Sequence, residues 1–363
     1  MVENGPWAGF EPNVFTDVPL TNLSSDAQSA LQNASKDWLN SFRFSAQFAF
    51  PPATNVWVRL DEHAQVSQAC FYLEQTWRRW FRTLHIFGPT ALTSDELREL
   101  LQARDADLAT VTCMRPEDVR RWSGPWHRWS TVVVNEDIVV ELPRSENEYL
   151  ESLGQNARTQ LPYYLRRVEK EWGAGYTTAW ARGGDISLQM VSELVELNRV
   201  RIEQKGATHI WNPQLTEQRW KLAQECGLFF GLYHGDKLMA GTFSSLHRNE
   251  AYFLLIGHHR QYDRLRLGKL ALWLTIQHLI REGFVRYHLL WGLSPYKLQL
   301  GGQPHALSEL AVFRHSSVAA VWYLDRWMRR LLRGVRWLMK APKAIGRRVL
   351  APFSKPASWL RAA

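Results

Sequence analysis

The sequence is poor in cysteine: Cys70, Cys113 and Cys226 are the only three among 363 residues, and they form neither a CxxC pair nor a paired framework. Scarce and widely spaced cysteines predict reduced thiols in a cytosol rather than a disulfide scaffold. The chain also has no uncharged run of the ~18 residues that cross a bilayer. Its first residues lack the basic start and apolar run of a signal peptide. We therefore expect a cytoplasmic protein that is neither exported nor membrane-spanning.

Several catalytic motifs are also missing. The twelve histidines form no HExxH and no Cys/His cluster with ligand spacing, so the sequence predicts no metal site. It contains no P-loop, no GxSxG and no GxGxxG after a strand. Hydrolase and dehydrogenase chemistry therefore have no support in the sequence.

The composition is that of a folded protein, with 45% hydrophobic and 22% charged residues. A chain of this length predicts two domains. Its net charge of +9 is concentrated at one end. Residues 317–363 hold 11 Lys or Arg and one acid, a net of +10, whereas the preceding residues hold 33 bases and 34 acids, a net of −1. The body therefore lacks the basic surface of a nucleic-acid-binding protein, and we expect no nucleic-acid partner.

The first part of the chain predicts an ordered series of elements. Residues 1–22 are rich in Gly and Pro and predict an irregular leader. Helical spacing of apolar residues predicts an amphipathic helix over 24–42, and alternating β-rich segments predict a three-strand meander within 55–88. A helix capped by Ser94 and a short buried strand over 107–114 follow.

The same order restarts near residue 141. A strand over 130–142 precedes a long helical stretch over 146–171, interrupted near Pro162. After a strand and two helices, a second three-strand meander lies within 227–259, and a helix follows over 268–282. Two final strands complete this half. The order predicts a mixed α/β (α+β) protein built from two similar units.

Three segments of the second half carry a family resemblance. They read YLESLGQNARTQLPYYLRRVEKEWG, LFFGLYHGDKLMAGTFSSL and YDRLRLGKLALWLTIQHLIREGFVRYHLLWGLSPYK. Their order and spacing resemble the CelD-type and Fem-type branch of the GNAT (Gcn-related N-acetyltransferase) superfamily, in which two GNAT-like units are fused. The resemblance covers about 141–314 well, and the first 140 residues only through their order of elements.

The resemblance implies two tandem GNAT-like units, each a mixed, mostly antiparallel sheet flanked by helices. The first unit, over 23–140, is expected to be degenerate, and the second, over 141–316, to be the acyltransferase domain. A basic amphipathic tail occupies 317–363. The implied reaction takes an acyl group from an acyl thioester, acyl-CoA or an acyl carrier protein, and passes it to an amine or hydroxyl.

In a GNAT fold the pantetheine of the donor lies in a splay between two strands, and its pyrophosphate meets amides at the start of the following helix. The resemblance places that helix start at residues 264–269, with Arg264, Arg266, Gly268 and Lys269 as donor-binding candidates. It adds Arg158, which precedes the long helix. The superfamily pattern of Gln or Arg, two residues, Gly, one residue, Gly or Ala is not met. Coenzyme A and a carrier protein therefore both stay open as donors, and the alternative for this loop is a helix start with a solvated basic face.

The catalytic candidates lie beside this loop. Lys297 matches the Lys that the family places after its "G…YK" turn, and could contact donor or acceptor. Tyr262 and Asp263 precede the loop, while His258 and His259 end the last meander strand. A histidine suits a general base near neutral pH. The alternative for each of these residues is a hydrogen-bonded structural role.

The tail predicts a helix with two faces. Its apolar face holds Val321, Leu324, Met328, Leu331, Leu332, Val335 and Leu338, and its polar face holds Arg326, Arg329, Arg330, Arg333, Arg336 and Lys340. Such a helix favours the surface of an anionic membrane, bound through 318–340 on the inner face. The alternative is a terminal helix whose apolar stripe packs on the body of the protein.

Together these observations predict a cytoplasmic, peripherally membrane-associated acyltransferase of cell-envelope or exopolysaccharide modification, as the resemblance suggests. Its acceptor would be a small molecule or a glycan or lipid-linked compound. Two alternatives stay open. One is Fem-type aminoacyl transfer from a charged tRNA, and the other is a non-catalytic scaffold that the tail recruits to a membrane.

Overall fold

The computed structural model describes residues 6–35, 54–86, 88, 92–120, 129–204 and 213–340. It contains two compact units, the first formed by Met1–Asn135 with Ala306–Ala363, and the second by Glu136–His305. Each is a sheet with helices packed on it, so the predicted mixed α/β class is confirmed.

The elements of the first part of the chain are β1 (Phe15–Pro19), α1 (Ser25–Ala34), β2 (Thr54–Leu60), β3 (Val66–Trp77), β4 (Phe81–Ile86), α2 (Ser94–Ala103), β5 (Leu108–Met114), α3 (Pro116–Arg120) and β6 (Trp129–Glu141). The helices α4 (Glu146–Ser152) and α5 (Gln155–Trp172), strand β7 (Tyr176–Arg182), and helices α6 (Leu188–Glu203) and α7 (Pro213–Cys226) follow.

The remaining elements are β8 (Gly227–His234), β9 (Lys237–His247), β10 (Glu250–His258), α8 (Leu267–Arg281), β11 (Arg286–Trp291), α9 (Pro295–Gln299), β12 (Gln303–Phe313) and α10 (Ser316–Lys340). A 3-10 helix over Arg260–Leu265 links β10 to α8.

The sheet of the first unit has the order β1-β2-β3-β4-β5-β12. Its neighbours are antiparallel except for β4 and β5, which pair in parallel. The sheet of the second unit has the order β6-β11-β10-β9-β8-β7. Here β10 and β11 are the parallel pair, and the other neighbours are antiparallel. Both units thus have the mixed, mostly antiparallel sheet that the sequence predicts.

Helices cover both faces of the second sheet. Alternate residues of β8 belong to two different hydrophobic clusters, because successive side chains of a strand point to opposite faces. Leu228 and Phe230 pack in a cluster with residues of α5 and α8, whereas Phe229 packs in a cluster with residues of α6 and α7. Helix α8 is apolar on most sides, and ten of its fifteen residues are buried. It is therefore a core helix whose start is fixed by its packing.

Four local predictions differ from the structure. The irregular leader predicted over 1–22 contains strand β1, which pairs with β2 at the edge of the first sheet, where a Pro such as Pro19 costs no ladder hydrogen bond. The long helical stretch ends at Ser152 and restarts at Gln155, whereas Pro162 lies inside α5. The N-cap of α2 is Thr93 rather than Ser94, because Thr93 and Glu96 form a capping box.

The fourth difference concerns the end of the chain. The sequence predicts residues 306–316 as part of the second unit, but β12 pairs with β5 of the first unit over Ser308–Phe313. Alternating apolar and polar residues predict a strand, but they do not indicate which strand it pairs with. The predicted helix over 24–42 is α1 as far as Ala34, and the part beyond residue 35 lies outside the described residues.

Candidate active site

The parallel strands β10 and β11 separate along their length. They pair only over Glu250–Tyr252 with Arg286–His288, although β10 continues to His258 and β11 to Trp291. A register shift between Phe253 and Leu255 marks a bulge in β10 just beyond the last paired residue. The carboxyl-terminal halves of the two strands therefore leave an opening, called the splay below.

Helix α8 begins at the mouth of the splay. Its N-cap residue is Arg266, and among the described residues no side chain caps the first turn and no acid lies in it. The amides of the first turn have no acceptor within the helix, because the first helical bond joins the Leu270 amide to the Arg266 carbonyl. Together with the helix dipole and Arg266, they favour an anionic group at this position.

The backbone at Arg266 accounts for the departure from the superfamily pattern. When the last residue of the pattern is placed on Gly268, its first glycine falls on Arg266. Arg266 lies in the left-handed region, at φ +54° and ψ +37°, a conformation that glycine adopts at no steric cost. The glycine is absent while the glycine conformation is present, and the substitution places a guanidinium beside the uncapped amides.

Two of the predicted donor-binding residues have other contacts. The Arg264 guanidinium forms an ion pair with Glu171 at the end of α5. Gly268 is buried under His258, and a Cβ at this position would lie 2.7 Å from the His258 Nδ1 atom. The missing side chain of Gly268 therefore makes room for the histidine ring.

Lys269 joins the start of α8 to α9. Its Nζ donates to the Gln299 Oε1 atom at 2.8 Å, and burial together with the nearby Arg266 lowers the pKa of Lys269. Gln299 also lines a cleft of about 410 Å³ with the first residues of α5, Gly154 to Ala157. Arg158 is exposed in the same first turn of α5. The predicted residues Lys269 and Arg158 therefore both lie near this cleft.

Lys297 is almost fully buried, with 4% of its surface exposed. Its Nζ donates to the backbone carbonyls of Leu290 at 3.2 Å and Trp291 at 2.8 Å, at the end of β11. Burial lowers the pKa of Lys297 to about 8, against the opposing charges of Asp137 and Glu136. A surface-loop lysine, the alternative drawn from the sequence, does not describe this side chain.

The remaining candidates lie at the end of β10. The His258 Nε2 atom is 3.5 Å from the Asp263 Oδ1 atom, so this histidine and this carboxylate are neighbours. The Tyr262 ring packs edge-on against Trp172, with centroids 5.6 Å apart, as part of the hydrophobic core. His259 is half-buried, and burial and the charge of Lys237 lower its pKa. The structure thus brings His258 and Asp263 together and gives Tyr262 a packing contact.

A buried charged cluster lies at the closed end of the splay, and the sequence analysis missed it. The His288 Nδ1 atom is 2.6 Å from Asp137 Oδ2, and its Nε2 atom is 3.3 Å from Glu250 Oε2. Tyr252 donates to Glu250 at 2.7 Å, and Arg286 forms an ion pair with the same carboxylate. The available signal was a histidine and an aspartate, each inside an otherwise apolar strand segment, RYHLLW and EDIVVE.

The cluster shifts the ionisation of its members. Burial alone would lower the pKa of His288, but its contacts with Asp137 and Glu250 raise that pKa overall. Burial would raise the pKa of Glu250, whereas His288, Tyr252 and Arg286 hold it down at about 2. The raised pKa of His288 and the low pKa of Glu250 both favour the charged forms, and the cluster joins β6, β10 and β11 where the splay begins.

Comparison with known proteins identifies this unit. Residues 155–298 match the family model described as an acetyltransferase (GNAT) domain. The second unit carries a GNAT acetyltransferase domain. This confirms the GNAT resemblance drawn from the residues and makes the GNAT domain an acyltransferase fold, for which an acyl thioester, such as acyl-CoA, is the expected donor. No curated protein matches the sequence at a significant level.

Solved structures share the fold of the chain. A crystal structure of FemX is similar with a TM-score of 0.60 and 8% identity over 79% of this chain and 95% of that chain. A conserved protein of unknown function from Bacteroides thetaiotaomicron is similar with a TM-score of 0.54 and 14% identity over 82% of this chain and 99% of that chain. At these identities the likeness shows the fold alone.

Within its described residues, the first unit shows no opening like that of the GNAT domain. Its parallel pair joins β4 and β5 over Thr83–Ile86, up to the last residue of β4, so these two strands do not separate within β4. The start of α2 is closed by the capping box and carries Asp95 and Glu96 in its first turn, which disfavours an anion. These differences are the structural features that make the first unit a degenerate copy of the GNAT domain.

The described residues contain no group of three or more His, Cys, Asp or Glu side chains placed to hold a metal ion. No helix in the described ranges combines the length and the hydropathy needed to cross a membrane.

Proposed function

We propose that the protein transfers an acyl group from an acyl thioester to an amine or hydroxyl at the mouth of the splay. One observation carries the proposal: the parallel strands open toward an uncapped basic helix start on one side and the buried Lys297 on the other. An open sheet edge at the carboxyl ends of parallel strands is a common position for a ligand.

The donor side is formed by the start of α8. We assign the anionic part of the donor to the first-turn amides, Arg266 and Lys269, with Arg158 as a further cation. We assign no direct contact with the donor to Arg264, because its guanidinium is already neutralised by Glu171. The thioester supplies an activated carbonyl carbon. The residues of the start of α8 bind and orient the donor, and do no chemistry themselves.

Lys297 is the residue proposed to stabilise developing negative charge. Two of the three N–H groups of its ammonium are used by the carbonyls of Leu290 and Trp291, which leaves one for a reacting oxygen or sulfur. In a site shielded from water one such donor lowers a barrier by several kcal/mol, on the order of 3. His258, beside Asp263, is the proposed acceptor of the proton from the amine or hydroxyl. His259 and Tyr262 are proposed to support this site rather than to take part in the transfer.

The acceptor and the place of action are part of the proposal. A small-molecule, glycan or lipid-linked acceptor of cell-envelope or exopolysaccharide chemistry would fit a cytoplasmic enzyme held at an anionic membrane surface through 318–340. The net charge of +10 over 317–363 supports that location. A body of net charge −1 argues against nucleic acid and hence against a charged tRNA as donor, which stays the alternative because the fold matches FemX.

Calorimetry with acetyl-CoA, with phosphopantetheine and with acyl carrier protein tests the donor. The double variant Arg266→Glu with Lys269→Glu should abolish binding, while Lys221→Glu, an exposed change on α7, should not. Binding of phosphopantetheine alone at equal affinity would favour a carrier protein. If none of these donors binds and a charged tRNA does, the aminoacyl alternative replaces the proposal. If no donor of either kind binds the folded protein, the scaffold alternative is correct.

A further inference from the structure

The hairpin between β3 and β4 ends in an exposed aromatic side chain. The chain turns over Arg78, Arg79 and Trp80, and the Trp80 amide donates to the Trp77 carbonyl at 3.3 Å. Trp80 is 85% exposed, the largest exposure of any big apolar side chain in the described ranges. Folding of the hairpin does not account for a tryptophan at this position, since its ring is not buried.

The turn itself is unfavourable for the residues that form it. Arg78 and Arg79 both lie in the left-handed region, at φ +57° and +63°. Tight hairpin turns with this backbone ordinarily use Asn or Gly, because other residues are strained there. The stability of the turn therefore does not explain the sequence WRRW at the tip, and strained residues of this kind point to a function.

The tip is attached to helix α10. Arg78 forms an ion pair with Asp325, and Asp325, which is 8% exposed, also accepts from Arg329 at 2.8 Å. The neighbouring Trp77 and Phe81 pack against the cluster that holds Trp322. The hairpin tip and α10 therefore form one continuous surface of the first unit.

Helix α10 presents its apolar stripe outward. Its buried residues Val318, Ala319 and Trp322 pack against the unit, and Arg326 donates to Glu309 at 2.5 Å. The stripe is exposed by 41 to 59% at each of its described positions, Val321, Leu324, Met328, Leu331 and Leu332. Trp327 is 59% exposed beside it. At these described positions the stripe thus does not pack on the first unit, as the alternative of a packed terminal helix would require.

The tip lies next to the stripe. Val321 and Met328 stand four residues before and three residues after Asp325, the partner of Arg78, so they are its neighbours on the helix surface. The surface that these groups form, here called the Trp80 surface, consists of Arg79 and Trp80 with the stripe from Val321 to Leu332. It joins tryptophan and arginine to aliphatic side chains, the composition of an interfacial membrane element.

We propose that the Trp80 surface is one docking site for an anionic phospholipid bilayer, with Trp80 entering the interface beside the stripe of α10. The inference rests on the membrane location proposed above for 318–340 and extends it to a hairpin about 240 residues earlier in the chain. Charge selects this occupant. A second copy would bring an equal net charge of +10 over 317–363 against the same surface, whereas an anionic bilayer complements it.

Sedimentation of the full chain with vesicles tests the docking site. We expect binding to vesicles that contain phosphatidylglycerol, weak binding to pure phosphatidylcholine, and loss of binding in high salt. Trp80→Ser should weaken binding about tenfold, since it removes a large aromatic group from the interface. Tyr163→Ser, which removes a 49% exposed aromatic ring from α5 of the second unit, is the matched control and should bind as the parent does.

Two results would overturn the proposal. One is unchanged binding of the Trp80→Ser protein, because the tip would then lie outside the docking surface. The other is a dimer in analytical ultracentrifugation that Leu324→Ser with Met328→Ser converts to monomer, because a second copy would then occupy the stripe. Acetyl-CoA binding, measured on the same variants, should stay at the parent level, so that failure of the docking site and failure of the acyltransferase proposal are distinguishable.

Discussion

The Lys297 Nζ atom lies 2.8 Å from the carbonyl oxygen of Trp291, and this contact depends on an irregular end of β11. The register with β6 shifts between His288 and Trp291, and Leu290 between them has a positive φ of +54°. The irregularity coincides with the two carbonyls that accept from the lysine, those of Leu290 and Trp291. Strain in the strand and the position of the lysine are thus parts of one arrangement.

Lys297→Met should reduce acyl transfer about a hundredfold, because it removes the proposed donor to the reacting group. Its melting temperature should stay level or rise, since burial disfavours the ammonium, although two hydrogen bonds are lost. Steady-state rates measured beside thermal melts check both parts. Lys221→Met, an exposed change in the same unit, is the control.

The pH profile of the parent gives a second test of Lys297. With a pKa of about 8, the ammonium is present below pH 8 and is lost as the pH rises through this value, so kcat should fall on the alkaline side. Lys297→Arg, if active, should not show that fall, because a guanidinium stays protonated. A parent rate that rises through pH 8 would instead make the neutral amine a general base.

Arg266→Gly should change stability and donor binding in opposite directions. Glycine at φ +54° removes left-handed strain of about 1 kcal/mol, so the melting temperature should rise. Loss of the guanidinium should weaken acetyl-CoA binding about fivefold, since a charge-assisted contact disappears. Calorimetry and melting curves on one preparation measure both.

Arg264→Ala is the matched control for Arg266. Its guanidinium is exposed and paired with Glu171, so its removal should leave acetyl-CoA binding nearly unchanged. If Arg264→Ala weakened binding as much as Arg266→Gly, the donor would lie over the 3-10 helix rather than over the first turn of α8.

The sequence predicts the elements of the second unit well because their signals are local. Helix α8, predicted over 268–282, runs from Leu267 to Arg281, since apolar residues dominate it. The second meander is confirmed, since alternating strands with polar turns encode hairpins directly. What the local pattern does not contain is the partner of a strand, as β12 demonstrates by pairing with β5.

The candidate site was predictable in position and less so in detail. The positions of the start of α8 and of Lys297 follow from the family resemblance. The left-handed backbone of Arg266 and the ring of His258 over Gly268 depend instead on packing between elements. Helix α10 is a similar case. Periodicity predicts its two faces, yet only the tertiary structure determines that Trp322 and Arg326 face the unit while Leu324 faces outward.

The buried cluster at the splay should make stability depend on pH. A raised pKa of His288 stabilises the fold fully below its ordinary value of 6.5, and this contribution is lost as the pH rises through the raised value. The pKa of Glu250 is lowered to about 2, so the ionised carboxylate stabilises the fold fully above its ordinary pKa of 4.5. This contribution is lost as the pH falls toward 2. The contribution is therefore greatest between these ordinary values.

His288→Phe should lower the free energy of unfolding by about 3 kcal/mol near pH 6, because it leaves Asp137 without its histidine and Glu250 with Arg286 alone. Its phenyl ring can keep the stacking contact with Tyr252, so packing is not the main loss. Denaturant titrations across pH should show a flatter alkaline limb than the parent. An alkaline limb as steep as that of the parent would assign the pH dependence to other groups.

The chain should bind one acetyl-CoA and not two. In the described residues of the first unit, β4 stays paired up to Ile86 and the capping box closes the start of α2, so neither of these parts is open to a donor. Calorimetric stoichiometry checks this, and Arg266→Glu with Lys269→Glu should remove all binding. A residual site in that variant would mean that the first unit also binds the donor.

The arginines of α10 should separate into two groups with different effects. Arg326 and Arg329 are ion-paired with Glu309 and Asp325 on the side of the helix that packs. Changing both to Gln should lower the melting temperature, because it leaves Glu309 without its cation and Asp325 with Arg78 alone, and should reduce vesicle binding only slightly. Arg333 and Arg336 lie further along the same helix. Changing both to Gln should leave the melting temperature unchanged and weaken binding to phosphatidylglycerol vesicles by about 2 kcal/mol, at about 1 kcal/mol per charge near the surface.

Both double variants lose the same net charge, so a uniform electrostatic effect predicts equal losses of binding. Equal losses would therefore contradict the ion pairs of Arg326 and Arg329 as the reason why these two arginines add little to membrane affinity.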